Sequence, residues 1–184
     1  TMTMVMMTAL AVTRERERGT MENLLAMPVR PIEVMIGKIA PYIVIGSVQV
    51  VVILLVSRLL FDVVIEGSPA LLGLGTALFI TVNLAIGFTI STLTHNQLQA
   101  MHASFFMMLP SILLSGFMFP FRGMPVWAQW IGEALPATHF MRIVRGVMLK
   151  GADLGDVSAP LIALIAMLLI VSTLAISRYK VTLD

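Results

Sequence analysis

Long apolar runs broken by short polar stretches organise this chain. The first run, Met2 to Val12, is about half of the roughly 20 residues a helix needs to cross a bilayer, and it leads into the densest charge in the sequence, Arg14-Glu15-Arg16-Glu17-Arg18. Four longer runs follow, at Val34–Ser57, Ala70–Leu93, Leu98–Phe119 and Ser158–Ser177. At 1.5 Å per residue each can cross a hydrocarbon core of about 30 Å. The stretch Pro120–Asp156 breaks the pattern. Pro120, Pro125 and Pro136 leave it too interrupted to span, and it is too apolar for a free loop. It is predicted to form two short helices, around Val126–Ala134 and Thr138–Lys150, that dip into the interface, where Trp127 and Trp130 each keep one edge wet. The pattern therefore predicts an all-α integral membrane protein. It is a polytopic helical bundle with four complete transmembrane helices plus the end of a fifth, and short interfacial helices before the last span.

Composition supports the membrane assignment. Only 12% of the 184 residues are charged and 58% are hydrophobic, where a soluble domain carries about 25% charged residues. The net charge of +2 is small and the basic residues are scattered, which argues against nucleic acid and leaves membrane lipid as the surroundings. With no cysteine, disulfides, thiolate nucleophiles and Cys-ligated metals are excluded. The chain opens inside an apolar run, so it reads as the C-terminal part of a longer protein. Placing the Arg14 loop and the C-terminus in the cytosol puts seven basic residues inside (Arg14, Arg16, Arg18, Arg30, Lys38, Arg178 and Lys180) and five outside (Arg58, Arg122, Arg142, Arg145 and Lys150). That is a thin bias in the direction of the positive-inside rule.

Within the spans the polar residues are few. Gly73, Ala77, Thr81 and Ala85 recur every four residues, a small-residue stripe suited to close helix packing, and Asn83 beside it is suited to an interhelical hydrogen bond. Pro110 is predicted to kink its helix, with Ser111 and Ser115 near the freed carbonyls. No complete span carries an Asp or Glu at depth, whereas ion-coupled carriers commonly hold their ion with intramembrane carboxylates or histidines. His102 is the one deep titratable side chain, and a lone histidine there reads most simply as a hydrogen-bonded packing residue. The sequence has no H-E-x-x-H, no G-x-S-x-G and no G-x-x-x-x-G-K-[ST]. It thus offers no catalytic residues, no metal site and no phosphate loop for ATP.

The charged segment, residues 13–28, cannot lie in hydrocarbon and must be a water-facing connection. Gly19 ends the preceding helix and Thr20 can cap a new one. Glu22 sits where the dipole of that helix favours negative charge. Met21, Leu24 and Leu25 share one face, and Pro28 stops the helix. On these residues alone two readings are open: a knob for a partner protein, or a helix resting in the headgroup layer.

Arg16-Glu17-Arg18-Gly19-Thr20-Met21-Glu22-Asn23-Leu24-Leu25, then Pro28, Gly37-Lys38 and Pro41-Tyr42, resemble the membrane subunits of ABC exporters of the ABC-2 type. A second block, Leu114-Ser115-Gly116-Phe117-Met118-Phe119-Pro120, then Met124-Pro125, Trp127, Pro136 and Leu149-Lys150-Gly151, stands in the same order. The resemblance covers nearly the whole chain. It implies that residues 1–184 are a transmembrane permease domain, with the second to sixth helices of a six-helix permease. Residues 13–28 would form a cytosolic coupling loop and helix docked on an ATP-binding-cassette ATPase, and residues 120–156 the outer interfacial helices. By position, docking falls to Glu15, Arg16, Glu17, Arg18, Gly19, Thr20, Met21, Glu22, Leu24 and Leu25. The resemblance also implies that ATP and Mg are held by the partner, so this chain is no enzyme and carries no cofactor. A second permease subunit, identical or similar, completes the path. The setting would be a bacterial inner membrane with the C-terminus cytoplasmic, and the cargo a drug, lipid or glycan. The rival reading is a non-transporting scaffold or assembly factor that holds a cytosolic partner through the same loop.

Overall fold

A computed structural model describes residues 2–17, 31–62 and 66–181. These residues form helices α1 (Met2–Glu17), α2 (Pro31–Phe61), α3 (Pro69–Leu93), α4 (Gln97–Leu114), α5 (Val126–Glu133), α6 (Pro136–Lys150) and α7 (Leu154–Val181), with one 3-10 turn at Phe121–Gly123. No strand occurs among the described residues. The fold is an all-α bundle. Among the described residues three helices are long and apolar enough to cross a membrane, over Ile39–Phe61, Pro69–Leu93 and Leu154–Ser177.

Helix α3 is the centre of the bundle. Burial takes 72% of its spanning window, against 11% for α2 and 17% for α7. Its position follows from its composition, because apolar and small residues alternate around its whole circumference and every side can accept a neighbour. Ile80, Leu84 and Phe88 pack with Met4 of α1, Ile39 of α2 and Ala175 of α7. Leu72 and Phe79 pack with Ile143 and Val147 of α6 and with Leu161 and Leu164 of α7. Val82 and Ile86 meet Val5 of α1.

Within this chain the small-residue stripe meets a neighbour at some positions and not at others. Gly73 and Ala77 are exposed, and a Cβ built on Gly73 meets nothing within 4 Å. Both line an open groove of about 230 Å³ between α2 and α3. The close approaches on α3 are at Gly75, where a Cβ would lie 2.8 Å from Ile143, and at Gly87, where it would lie 2.5 Å from the Val5 carbonyl. Thr81 is half-buried and donates to the Ala77 carbonyl of its own helix at 2.7 Å. Asn83 is buried, but its amide also bonds within the helix, to the Phe79 carbonyl at 2.7 Å. It lines a space of about 10 Å³ shared with Val5, Ser104 and Ser111, about the room one water needs.

Helix α4 is shorter than the apolar run predicted. It ends at Leu114 rather than Phe119, and its 18 residues cover about 27 Å, at the lower limit for a span. The cause is local. Gly116 takes φ 82, a left-handed conformation that glycine adopts without a side-chain clash, and Arg145 Nη2 donates to its carbonyl at 2.8 Å. The chain then turns into the α5–α6 hairpin that the prolines and tryptophans predicted.

That hairpin is held by polar contacts from its own two helices. Thr138 Oγ1 donates to the Gly132 carbonyl at 2.5 Å and His139 Nε2 lies 2.9 Å from the Glu133 carbonyl. Arg142 forms a two-nitrogen pair with the Glu133 carboxylate and lies 4.8 Å over the Phe121 ring. The hydrogen bond from Arg142 holds the Glu133 carboxyl below its ordinary value of 4.5, against partial burial, which acts the other way. A carboxyl with a depressed folded pKa stabilises the fold above its unfolded value and loses that contribution as pH falls through the folded value. The hairpin is therefore expected to loosen below about pH 4.5, by less than about 1 kcal/mol because the pair is largely exposed. Trp127 and Trp130, the two tryptophans of the chain, lie on α5, so their emission reads the transition. Glu133→Gln should remove it.

Candidate functional site

At one end of the bundle the last described turn of α1 meets the start of α4. Helix α1 continues through Arg14, Glu15 and Arg16 and is described as far as Glu17. Asn96 caps α4 by accepting from the Gln99 amide at 2.8 Å, which makes Gln97 the first helical residue. The Glu17 carboxylate accepts the Gln97 backbone N–H at 2.7 Å and also the Gln97 side-chain amide. A carboxylate on the free N–H groups of a helix start complements the helix dipole. These bonds, the side-chain one first, hold the Glu17 carboxyl below its ordinary range. A turn further into α1, the Thr13 and Thr94 hydroxyls lie 3.4 Å apart. The end of α1 is thus tied to the α3–α4 turn at two levels.

Of the sequence-predicted docking residues, Glu17 is the one whose side chain is described. Glu15 and Arg16 lie within α1, but their side chains are outside the described set. Arg18, Gly19, Thr20, Met21, Glu22, Leu24 and Leu25 lie outside the described residues altogether.

Towards the other end a cavity of about 810 Å³ opens between α1, α2, α4 and α6. Its walls include Met4, Ile53, Ile112, Phe117 and Met141, together with Phe79 and Phe140, whose rings stack at 4.1 Å. The polar residues lining it are Thr3, Gln49, Ser111 and Ser115. Thr3 donates to Gln49 Oε1 at the limit of 3.5 Å, and Ser111 donates to the Met107 carbonyl at 2.8 Å. The Gln49 amide N–H groups remain as the natural donors to a guest. None of the described lining residues is charged, so the cavity suits an apolar or neutral amphipathic molecule, because an unpaired ion would lose its hydration there without compensation.

His102 does not reach this cavity; it is exposed on α4. Among the described residues no three His, Cys, Asp or Glu side chains gather where they could hold a metal. Sequence reasoning missed both Gln97 and Gln49. The Asn96-Gln97 pair does carry a helix-start signal, an Asn cap before an apolar run. Nothing in the sequence says that α1 ends beside it.

The profile of the ABC-2 type transporter family matches residues 1–149, and the chain belongs to that family. It is 34% identical over 154 residues to the probable multidrug ABC transporter permease YbhR of Escherichia coli, covering 84% of this chain and 42% of that protein. The inner membrane transport permease YhhJ of Escherichia coli is 33% identical over 184 residues, 100% of this chain and 49% of that one. ABC transporter G family member 20 of Dictyostelium discoideum is 31% identical over 150 residues, 82% of this chain and 20% of that protein. The chain spans less than half the length of these relatives.

Proposed function

We propose that this chain is part of the membrane-spanning permease subunit of an ATP-driven exporter that moves neutral or weakly polar amphipathic molecules. The observation that carries the reading is the course of α1 and α4. Both run from the charged end, at Glu17 and Gln97, to the wall of the cavity, at Thr3 and Ser111. A push on residues 13–28 has a direct route to the cargo space through these two helices. Power would come from a cytosolic ATP-binding-cassette subunit holding ATP and Mg, docked on that segment, and a second permease subunit, identical or similar, would complete the path. In this reading the charged end and the C-terminus face the bacterial cytoplasm, and the α5–α6 hairpin faces outward. The multidrug role named for YbhR agrees with a cavity that offers shape and few directional contacts.

The test is co-purification of the full-length protein with its ATPase, followed by reconstitution in liposomes with the neutral amphiphile N-phenyl-1-naphthylamine and the cation ethidium. ATP-dependent movement of the neutral probe, with ethidium moved poorly, is the expected result. Capture of a different partner with no ATP-dependent movement would favour the scaffold reading instead. Within the coupled system Glu22→Arg is expected to lower export at least about tenfold while ATP hydrolysis continues, as loss of a coupling free energy between two sites does. Simultaneous assay of hydrolysis and export on the same liposomes checks it.

A further inference from the structure

Helix α4 carries no acidic or basic residue except His102, yet charged side chains from other elements meet it at both ends. Glu17 of α1 accepts the Gln97 backbone N–H at its start, and Arg145 of α6 donates to the Gly116 carbonyl just past its last turn. These are the signs that a helix dipole favours, negative at the N-terminus and positive at the C-terminus. They differ in where they are anchored. Arg145 belongs to the hairpin, whereas Glu17 lies within the segment assigned to docking, on the part of it that is described as helix α1.

We propose that Glu17 is a positioning residue for export: its carboxylate grips the first residue of α4, so that displacement of the docking segment is delivered to α4 and to the Ser111 face of the cavity. The proposal rests on the transporter reading above and adds the point at which force passes from one helix to the next. Without the grip, α1 and α4 still touch through side chains along their length, but the end of α1 no longer fixes the end of α4. The Thr13–Thr94 contact at 3.4 Å pairs two neutral hydroxyls and is the weaker of the two ties.

Gln97→Pro tests this with little collateral change. Proline at the first helical position is well tolerated, because the N–H it lacks has no partner within the helix. The preceding residue, Asn96, already has the extended φ −141 and ψ 163 that a following proline requires. The substitution removes both donors to Glu17, the backbone N–H and the side-chain amide, and leaves Glu17 itself in place. In the full-length permease with its ATPase in liposomes, Gln97→Pro is expected to keep the ATPase bound and hydrolysing within about twofold, and to lower export of N-phenyl-1-naphthylamine about tenfold. Glu17→Gln is expected to lower export as well. The double variant should be no worse than the more severe single one, because both changes remove the same link.

Export at the wild-type rate in Gln97→Pro would overturn the proposal. So would single losses that multiply in the double variant, since the two residues would then act separately. If Glu17→Gln sheds the ATPase while Gln97→Pro exports normally, Glu17 is a docking residue and not a grip. If the wild-type pair moves no probe with ATP, the transporter reading itself fails and the grip falls with it, an outcome distinct from all the others.

Discussion

Gly87→Ala is expected to destabilise the bundle by about 2 kcal/mol or more, a large effect for a single added methyl group. The added carbon would stand 2.5 Å from the Val5 carbonyl oxygen, 3.0 Å from Thr8 Cβ and 3.1 Å from Val5 Cα. Two of these three neighbours are backbone atoms of α1, so no rotamer change relieves the clash and the helix itself must move. Thr8 is fully buried and bonded to the Met4 carbonyl at 2.9 Å, which leaves α1 little room to yield. Gly73→Ala makes the same change in the same helix where nothing lies within 4 Å. It should be neutral, or stabilising by up to about 1 kcal/mol through helix propensity. Thermal unfolding of the two purified variants in one detergent checks the pair, and equal melting temperatures would refute the close α1–α3 seam.

Gly132→Ala is the second substitution with a large expected effect, at the opposite end. A Cβ there would lie 2.7 Å from the Leu114 carbonyl and 2.8 Å from Phe121 Cε2. The first of these is the last residue of α4, so α5 is seated directly on the end of that helix. The Phe121 ring could swing away only by leaving its contact with Arg142 at 4.8 Å. The Gly132 carbonyl also accepts from Thr138, so moving α5 strains the hairpin turn as well. A loss of about 2 kcal/mol is expected from overpacking, together with a shift in Trp127 and Trp130 emission as α5 lifts. Unchanged emission and stability would mean that α5 does not sit where the structure has it.

Much of the architecture was legible in the sequence, because a span of lipid imposes a length and a composition. The run Ala70–Leu93 became helix Pro69–Leu93, and the prolines of the 120–156 stretch marked helix starts, with Val126 following Pro125 and α6 opening on Pro136. Packing was less legible. A four-residue repeat advances about 40° per step on a helix with 3.6 residues per turn. The stripe that is exposed at Gly73 has therefore turned by about 120° when it reaches Ala85, which is buried to 1% exposure. Spacing marked a line of small residues without saying where along it a neighbour arrives. The end of α4 depended on Gly116 and on an arginine 29 positions away, a contact no local pattern announces. The Glu17–Gln97 pair, separated by 80 positions, was hidden for the same reason.

The hydroxyl groups of the spans bear on how the protein is made. Thr8, Ser47, Thr81, Thr89, Ser104, Ser111 and Thr173 each donate to the carbonyl four residues back in their own helix. Such a helix enters lipid with those side chains already satisfied, so it needs no companion to leave the translocon. Insertion and association then become separate stages of biogenesis. A defect confined to a helix seam should accumulate as chains threaded through the bilayer but unable to gather, a target for membrane proteases rather than for cytosolic aggregation.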